Sequence, residues 1–343
     1  MSFQALYCGA WSFKIQVAGV SGFTADPADE SVKASGIFGE EHPGQSILAF
    51  AGKYLVSVCE MRDTGKILSY EILEDHSLAL KDVLSVDSTL LSYVVAAPGG
   101  KYVFTSSMGN GTVRMIRVEE DGRLSLTDEF RLTGHSVTPR QNGAKTHSIM
   151  ISPDGALLAA ANLGADEVEL FRVDYEKERL VLLSGTPVDF GKEPRHMAFH
   201  PSGKYLYLLT EAGSRLYVFL VREGELQELA VYQNRDPEGP QTGSPADLVM
   251  SADGHFLYST NRGQHNIAVW KTLESGLLDT VAFVPCGGKG PRGLNLSPDG
   301  KTLLCANNED GTVTAMELDP ETGIPGPAYL TLSVPGAGCV RSL

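Results

Sequence analysis

The sequence predicts an all-β fold, a seven-bladed β-propeller with four antiparallel strands in each blade, and three observations support this prediction. A unit made of a strand, a glycine-containing turn, a second strand, a short loop and a third strand recurs six times in 343 residues. The turn glycines are 46 to 55 residues apart, a period that suits four short strands with their connections. The two ends of the chain complement each other as parts of one further unit.

The six copies share a small or polar turn followed by an apolar second strand. They read AGKYLVSVCE, GGKYVFTSSM, DGALLAAANL, SGKYLYLLTE, DGHFLYSTNR and DGKTLLCANN, with turn glycines at Gly52, Gly100, Gly155, Gly203, Gly254 and Gly300. A third strand rich in β-branched and aromatic residues follows, such as GTVRMIRV, and then an outer segment such as LSLTDEFRL. Each copy therefore accounts for the four strands of one blade.

The seventh blade is predicted to be shared between the two ends of the chain. Residues 339–343 are long enough for only a first strand, whereas residues 1–40 contain a second strand at Ala5–Trp11 and two weaker strand segments. Joining them closes the ring, and closure removes the sheet edges that would otherwise promote aggregation. We therefore expect a single propeller domain over residues 1–343.

Composition and charge argue against several classes of function. The formal net charge of −14 disfavours a surface for nucleic acid or anionic membranes. The N-terminal segment MSFQALYCGAW has no basic stretch followed by an apolar core, so we expect a cytoplasmic protein with no membrane segment. The five cysteines contain no CxxC pair, and Cys59 and Cys305 lie within apolar strands, where we expect buried thiols.

Blade geometry brings two positions of the repeat to the same rim of the central channel, the start of the first strand and the end of the second. Counting eight residues back from each turn glycine gives the first position, with Gly44, Ser92, His147, Arg195, Ala246 and Arg292. Counting eight forward gives the second position, with Glu60, Met108, Leu163, Glu211, Arg262 and Asn308. A structural repeat alone would favour one residue type throughout, so the variation into His, Arg and Glu predicts an individualised rim.

Such a rim suits an anionic substrate at a site where a proton moves. Arginine forks hold a carboxylate or phosphate with two hydrogen bonds, and an arginine can stabilise the oxyanion of an opening ester. Either His147 or Glu211 can act as the general base. The alternative is that these residues are rim charges paired between neighbouring blades. No GxSxG or Walker-type motif is present, and neither a metal nor a cofactor is expected.

A calcium site is a further alternative, because oxygen ligands at the ends of second strands could converge on the propeller axis. The candidate ligands are Glu60, Glu211, Asn162, Asn261 and Asn307. The neighbouring arginines oppose a cation at this place.

Several segments resemble the seven-bladed lactonase family. They are PRQNGAKTHSIMISPDG, GKEPRHMAFHPSGKYLYLLTE, TNRGQHNIAVW and GKGPRGLNLSPDGKTLLCANN, and the resemblance covers essentially the whole chain. The family contains the propeller-type 6-phosphogluconolactonases and the fungal carboxy-cis,cis-muconate cyclases. The resemblance implies that His147, Arg195 and Glu211 match cyclase active-site residues. Candidates for binding the substrate beside them are Arg262, Arg292, Glu60, Gln141 and His196.

The resemblance implies hydrolysis of a sugar lactone, with 6-phosphogluconolactone as the first candidate substrate and no cofactor. Two alternatives stay open, an enzyme that forms or opens the lactone of a carboxylated muconate, and a non-enzymatic propeller that binds proteins. The protein-binding alternative predicts a large exposed apolar patch on one face. In either enzymatic case the partner is a small anionic lactone or carboxylate, and the oligomeric state is left open.

Overall fold

Seven four-stranded antiparallel sheets are arranged in a ring around a central channel, which confirms the predicted fold class. The computed structural model describes residues 2–11, 18–26, 28, 31–241 and 243–343. First strands of adjacent blades contact one another all the way around the ring.

Each blade has four strands, numbered here along the chain. The first strands line the channel: β4 (Gln45–Ala51), β8 (Leu91–Ala96), β12 (Thr146–Ile151), β16 (Pro194–Phe199), β20 (Pro245–Met250), β24 (Pro291–Leu296) and β28 (Ala337–Ser342). The second strands are β1 (Ala5–Ala10), β5 (Tyr54–Cys59), β9 (Tyr102–Ser107), β13 (Leu157–Asn162), β17 (Tyr205–Thr210), β21 (Phe256–Asn261) and β25 (Thr302–Asn307). The third strands are β2 (Ala18–Ala25), β6 (Lys66–Ile72), β10 (Thr112–Val118), β14 (Glu167–Asp174), β18 (Arg215–Arg222), β22 (Asn266–Thr272) and β26 (Thr312–Leu318). The outer strands are β3 (Val32–Pro43), β7 (Leu78–Ser85), β11 (Leu124–Arg131), β15 (Arg179–Pro187), β19 (Glu225–Gln233), β23 (Leu278–Pro285) and β27 (Pro325–Ser333).

The burial of each strand follows from its distance to the channel. Every residue of β5 is buried, because both of its faces pack against neighbouring blades. The outer strand β19 has one buried residue, Leu226, and two partly buried positions, because its other side chains face solvent. Cys59 on β5 and Cys305 on β25 are buried free thiols, as the apolar strands predicted.

The six turn glycines recur because the turn needs a left-handed backbone. Their φ angles lie between +63° and +76° at all six positions. A side chain with a Cβ atom is strained in this region, whereas glycine adopts it without steric cost. The repeat signal in the sequence therefore has a conformational cause.

The seventh blade is built from both ends of the chain, in the order β28, β1, β2, β3. β28 pairs antiparallel with β1, with Leu6 opposite Ser342. The blade is larger than predicted, since β28 begins at Ala337 instead of residue 339 and β3 extends to Pro43. Beside this junction, Asn308 Nδ2 donates to the carbonyls of Trp11, Gly336 and Ala337 at 2.9, 2.9 and 3.1 Å.

Helical structure in the described ranges consists of two short 3-10 turns, Pro139–Gln141 and Arg262–Gln264. Neither is long or apolar enough to span a bilayer.

Candidate active site

A β-bulge near the start of each first strand places one residue of every blade at the channel. In β16 the pairing with β17 moves from Pro194↔Thr210 to His196↔Leu209, which leaves Arg195 as the extra residue. Comparable shifts occur in all seven first strands. An extra residue in one strand re-aims its side chain, and Ser92, His147, Arg195 and Arg292 accordingly line one narrow cavity.

The prediction for the first blade, Gly44, is wrong by two residues. Only Gly52 and Lys53 join β4 to β5, whereas residues 97–101 join β8 to β9, so counting back from the glycine overshoots in this blade. The bulge residue is Ser46. Gly44 lies ahead of the strand with φ +77°, and its carbonyl accepts the amide of Glu60 at 2.9 Å.

The ends of the second strands lie at the same rim, as predicted. The backbone amide of Glu211 donates to Glu193 O at 2.9 Å, and that of Arg262 donates to Ser244 O at 3.2 Å. Both acceptors stand directly ahead of the first strand of the same blade. The two positions of the repeat therefore meet at one mouth of the channel.

Glu211 is the centre of an ion-pair cluster at this mouth. Its Oε2 lies 3.0 Å from Arg195 Nε, and its Oε1 lies 3.0 Å from Arg140 Nη1 and 3.4 Å from Arg262 Nη2. Burial raises the pKa of Glu211, but the nearby arginine charges outweigh burial and hold that pKa well below its usual range. Glu211 is therefore an ionised carboxylate that organises guanidinium groups.

His147 lies beside the cluster as a buried imidazole. Its Nε2 is 4.0 Å from Glu211 Oε2, and the residue is 5% exposed. Burial and the charge of Arg195 lower the pKa of His147 well below its usual value, so the ring is neutral at pH 7. Its Nδ1 has no hydrogen-bond partner in the part of the chain that the structure describes. A neutral imidazole at a polar mouth can accept a proton.

Arg292 and Glu60 form a second ion pair on the opposite side of the mouth. Arg292 Nη2 lies 3.5 Å from Glu60 Oε2, and the guanidinium stacks over the Trp11 ring with its Cζ 3.9 Å from the centroid. Burial raises the pKa of Glu60, and the charge of Arg292 opposes this shift. The stacking holds Arg292 facing the cavity that also contains His147.

Arg140 belongs to the cluster, although position counting in the repeat did not select it. The 3-10 turn Pro139–Gln141 carries it over the rim, where its Nη1 bonds Glu193 Oε2 at 2.6 Å in addition to Glu211. Its side chain is 42% exposed, against 2% for Arg195, so Arg140 presents its guanidinium to solvent. The only signal in the sequence was its place in the segment that resembles the family.

Asp166 ties the two loops of this region together. Its carboxylate accepts the amides of Gly191, Lys192 and Glu193 at 2.6, 3.0 and 2.8 Å and the hydroxyl of Ser136 at 2.5 Å. Ser136 precedes the turn that carries Arg140, and Glu193 precedes β16. These bonds set the relative positions of Arg140 and Arg195.

The expectation that Gln141 binds substrate is wrong, because its amide is fully buried and occupied by the backbone. Its Nε2 donates to Leu163 O at 2.9 Å, and its Oε1 accepts from Thr138 N at 3.3 Å. His196 lies in the channel cavity, but below the rim and packed against His147, with its Nδ1 on Asp247. It contacts the candidate base instead of the open mouth.

The calcium alternative is also wrong for the three asparagines. Asn162 Nδ2 donates to Glu169 Oε1, Asn261 Nδ2 to Asn266 Oδ1, and Asn307 Nδ2 to Thr312 Oγ1. These acceptors lie on third strands, so the amides point away from the channel axis. Glu211 and Glu60 lie near the axis, but each is paired with arginine.

Comparisons with known proteins agree with this architecture. The family described as "Lactonase, 7-bladed beta-propeller" matches residues 6–342. A protein of Bacillus subtilis named 6-phosphogluconolactonase is 29% identical over 295 residues, which is 84% of each chain. A protein of Formosa agariphila with the same name is 29% identical over 283 residues, covering 79% of this chain and 80% of its own.

Among solved structures, the periplasmic gluconolactonase PpgL of Pseudomonas aeruginosa superposes with a TM-score of 0.87 at 27% identity, with 98% of both chains covered. The ring of blades, the rim of unlike charged side chains and the match over nearly the full length agree. The chain therefore belongs to the seven-bladed β-propeller lactonase family.

Proposed function

We propose that this protein hydrolyses sugar lactones, with 6-phosphogluconolactone as the leading candidate substrate and 6-phosphogluconate as the product. The observation that carries the proposal is a neutral, buried His147 placed 4.0 Å from a carboxylate that gathers three arginines. Membership of the lactonase family and relatives named 6-phosphogluconolactonase support the same reaction.

Each step of a lactone hydrolysis has a candidate group at the rim. His147 takes a proton from water while the water oxygen attacks the lactone carbonyl carbon. The guanidinium of Arg195, with Arg292 across the cavity, stabilises the oxyanion that forms. The bond to the ring oxygen then breaks, and the protonated His147 returns its proton to that oxygen, which becomes a hydroxyl.

Glu211 is the weaker candidate for the base. A carboxylate already held by Arg195, Arg140 and Arg262, with a pKa well below its usual range, has little tendency to accept a proton. Its proposed role is to hold the arginines in place. Arg140 is the candidate for the substrate's phosphate, since its guanidinium is the most exposed of the three and can bind phosphate with two hydrogen bonds.

The test is the lactonase activity of Arg195→Ala and Glu211→Ala, measured on 6-phosphogluconolactone and gluconolactone with the spontaneous hydrolysis rate subtracted. We expect kcat/KM to fall by about 10²-fold or more in both, because Arg195→Ala removes an oxyanion donor and Glu211→Ala removes the carboxylate that holds the arginines in place. Arg222→Ala is the matched control, because Arg222 is exposed and pairs with its exposed neighbour Glu223, on an outer part of the blade. Unchanged turnover in both rim variants would reject the assignment.

The muconate alternative is favoured by one observation, the number of arginines at the mouth, since a substrate with several carboxylates would need several guanidinium groups. An ultraviolet assay of carboxymuconate consumption separates the two reactions. The cytoplasmic location expected from the sequence stays a prediction, because one structural relative is named a periplasmic gluconolactonase.

A further inference from the structure

A second layer of ionisable groups lies directly beneath His147 in the channel. The ring of His196 packs against that of His147, edge to face, with 5.2 Å between the centroids. On another side Tyr93 contacts His196 in the same way at 5.0 Å. His196 Nδ1 lies 2.6 Å from Asp247 Oδ1, and both residues are buried.

The Asp247 carboxylate is held in one orientation. Its Oδ1 also accepts the amide of Leu248 at 2.9 Å, and its Oδ2 accepts the amide of Leu294 from the next blade at 2.8 Å. The bulge of β20 spans both Ala246 and Asp247, and Thr260 Oγ1 accepts the amide of Asp247 at 2.9 Å. The backbone is therefore shaped to present this carboxylate to the channel.

The hydrogen bond defines the state of His196. Burial and the charge of Arg195 lower the pKa of His196 to about 4, while Asp247 opposes that shift. Burial raises the pKa of Asp247, but His196 and the backbone amide of Leu294 outweigh it, so Asp247 is ionised. A neutral His196 must then donate its Nδ1–H to Asp247, which fixes both its tautomer and its ring orientation.

His147 needs a nearby negative charge when it accepts a proton. The charged and titratable groups around it are Arg195, His196, Glu211 and Arg292, and across the same cavity Tyr93, Asp247, Cys339 and Arg341. The arginines disfavour an imidazolium, and Glu211 is already shared among three of the guanidinium groups at the rim. Asp247, one ring away through His196, is the ionised carboxylate on the inner side of His147.

We propose that His196 and Asp247 act as a positioning pair for His147, which orients its ring by packing and stabilises its protonated form by charge. The arrangement resembles a base oriented by a carboxylate, with one additional ring between them. The role in turnover rests on the proposed lactonase function. The effect on the protonation of His147 does not depend on that function.

The first test is nuclear magnetic resonance of the full-length protein with 15N-labelled histidine. In the unmodified protein, we expect His196 to be the Nδ1–H tautomer, with a strongly downfield proton. Asp247→Asn removes the carboxylate charge, and we expect it to lower the pKa of His147. An Nε2–H tautomer of His196, or a His147 pKa unchanged in Asp247→Asn, would overturn the proposal. Because the tautomer is read in the unmodified protein, a variant that fails to fold does not block the test.

The second test is kinetic. We expect Asp247→Asn to lower kcat about tenfold or more with little change in KM, and to move the acid limb of the kcat/KM profile to lower pH. Asp128→Asn is the matched control, since Asp128 also accepts a backbone amide, that of Leu180, but on an outer strand. A fall in kcat without movement of the acid limb would mean a merely structural role. If the unmodified protein hydrolyses no lactone, the proposed function fails, and the tautomer and the pKa of His147 still decide this inference.

Discussion

At the residue scale, the chemistry of the mouth depends on which groups are charged. His147 and Glu211 are neighbours, yet their surroundings push their pKa values below the usual range by different routes. Burial is the main cause for His147, whereas for Glu211 the arginine charges outweigh burial. The result is a neutral imidazole beside an ionised carboxylate, which supports the proposed division of roles with His147 as the base.

This state of His147 predicts an unusual pH dependence. Activity that requires neutral His147 persists below pH 6.5, because the pKa of the buried ring lies well under that value, and it is lost only at lower pH. The measurement is a kcat/KM profile for lactone hydrolysis between about pH 4.5 and 7.5, corrected for the spontaneous reaction. An acid limb at or above 6.5, or an acid limb that survives in His147→Gln, would contradict this role.

At the element scale, tyrosine hydroxyls join successive blades. Tyr7, Tyr54, Tyr207 and Tyr258 of second strands donate to backbone carbonyls in the hairpin between the third and outer strands of the next blade, at 3.0, 2.6, 3.0 and 3.0 Å. The cores between blades are largely apolar, and hydrophobic contact has no preferred direction. These hydrogen bonds are directional, so they fix how one blade is placed against the next.

The interblade bonds predict a stability effect for Tyr258→Phe. The change removes the donor to Gly323 O in a buried place, and we expect the free energy of unfolding to fall by about 1–2 kcal/mol. Urea denaturation measures this loss. Tyr329→Phe is the control, because Tyr329 is half exposed, and an equal loss in both variants would argue against a special role for the interblade bond.

Glu169 on β14 is a polar exception within a blade core. It is 5% exposed, its Oε1 accepts from Asn162 at 2.9 Å, and its Oε2 has no partner within the described ranges. Burial raises the pKa of Glu169 to about 8. The folded protein therefore binds this proton more tightly than the unfolded chain.

The raised pKa predicts that Glu169 lowers stability as pH rises. Its contribution is fully favourable below the unfolded value of about 4.5 and is lost as pH rises through about 8. Glu169→Gln should remove this loss. The free energy of unfolding of the variant, relative to that of the unmodified protein, should therefore increase from about pH 5 to about pH 9. Urea denaturation at both pH values tests this, with the exposed Glu321→Gln as control, and a difference that does not change with pH would contradict the prediction.

At the scale of the whole molecule, the ring gathers a cationic mouth on an acidic protein. The formal net charge is −14, yet Arg140, Arg195, Arg262 and Arg292 face Glu60, Glu193 and Glu211 at one end of the channel. A local excess of positive charge within a negative surface concentrates anionic ligands at that place.

The exposed large apolar side chains that are described include Leu80, Leu126, Leu182, Leu229 and Tyr329, which lie on different outer strands.

Closure of the ring predicts a role for Asn308. Its Nδ2 contacts three carbonyls, from both ends of the chain, so Asn308→Ala leaves acceptors at the junction unpaired. We expect a loss of about 2 kcal/mol in the free energy of unfolding, measured by urea denaturation. Asn142→Ala, at an exposed position, is the control, and a similar loss there would show that the effect is not one of closure.

The turn glycines were enough to predict six blades, because each turn requires a left-handed residue and glycine meets that requirement without strain, as at Gly203. The complementary chain ends predicted the seventh blade, and the repeat predicted that His147, Arg195 and Glu211 share a rim, since equal places in a repeat occupy equal places in a ring.

Contacts between loops of different blades are not encoded in the repeat and became visible only in the folded ring. Arg140 reaches Glu211 because Asp166 hydrogen-bonds both to the loop that carries Arg140 and to the loop ahead of β16. Gln141 does not face the mouth, because its side-chain amide is hydrogen-bonded to the backbone. The prediction of Gly44 as the rim residue of the first blade is wrong because the turn between β4 and β5 is shorter than in other blades. Counting eight residues back from the turn glycine therefore passes the bulge, which lies at Ser46. The backbone conformation of each turn depends on neighbouring residues, so it recurs in the sequence and can be predicted from it. Contacts between distant loops depend on how close the loops lie in space, and this is set only once the ring has closed.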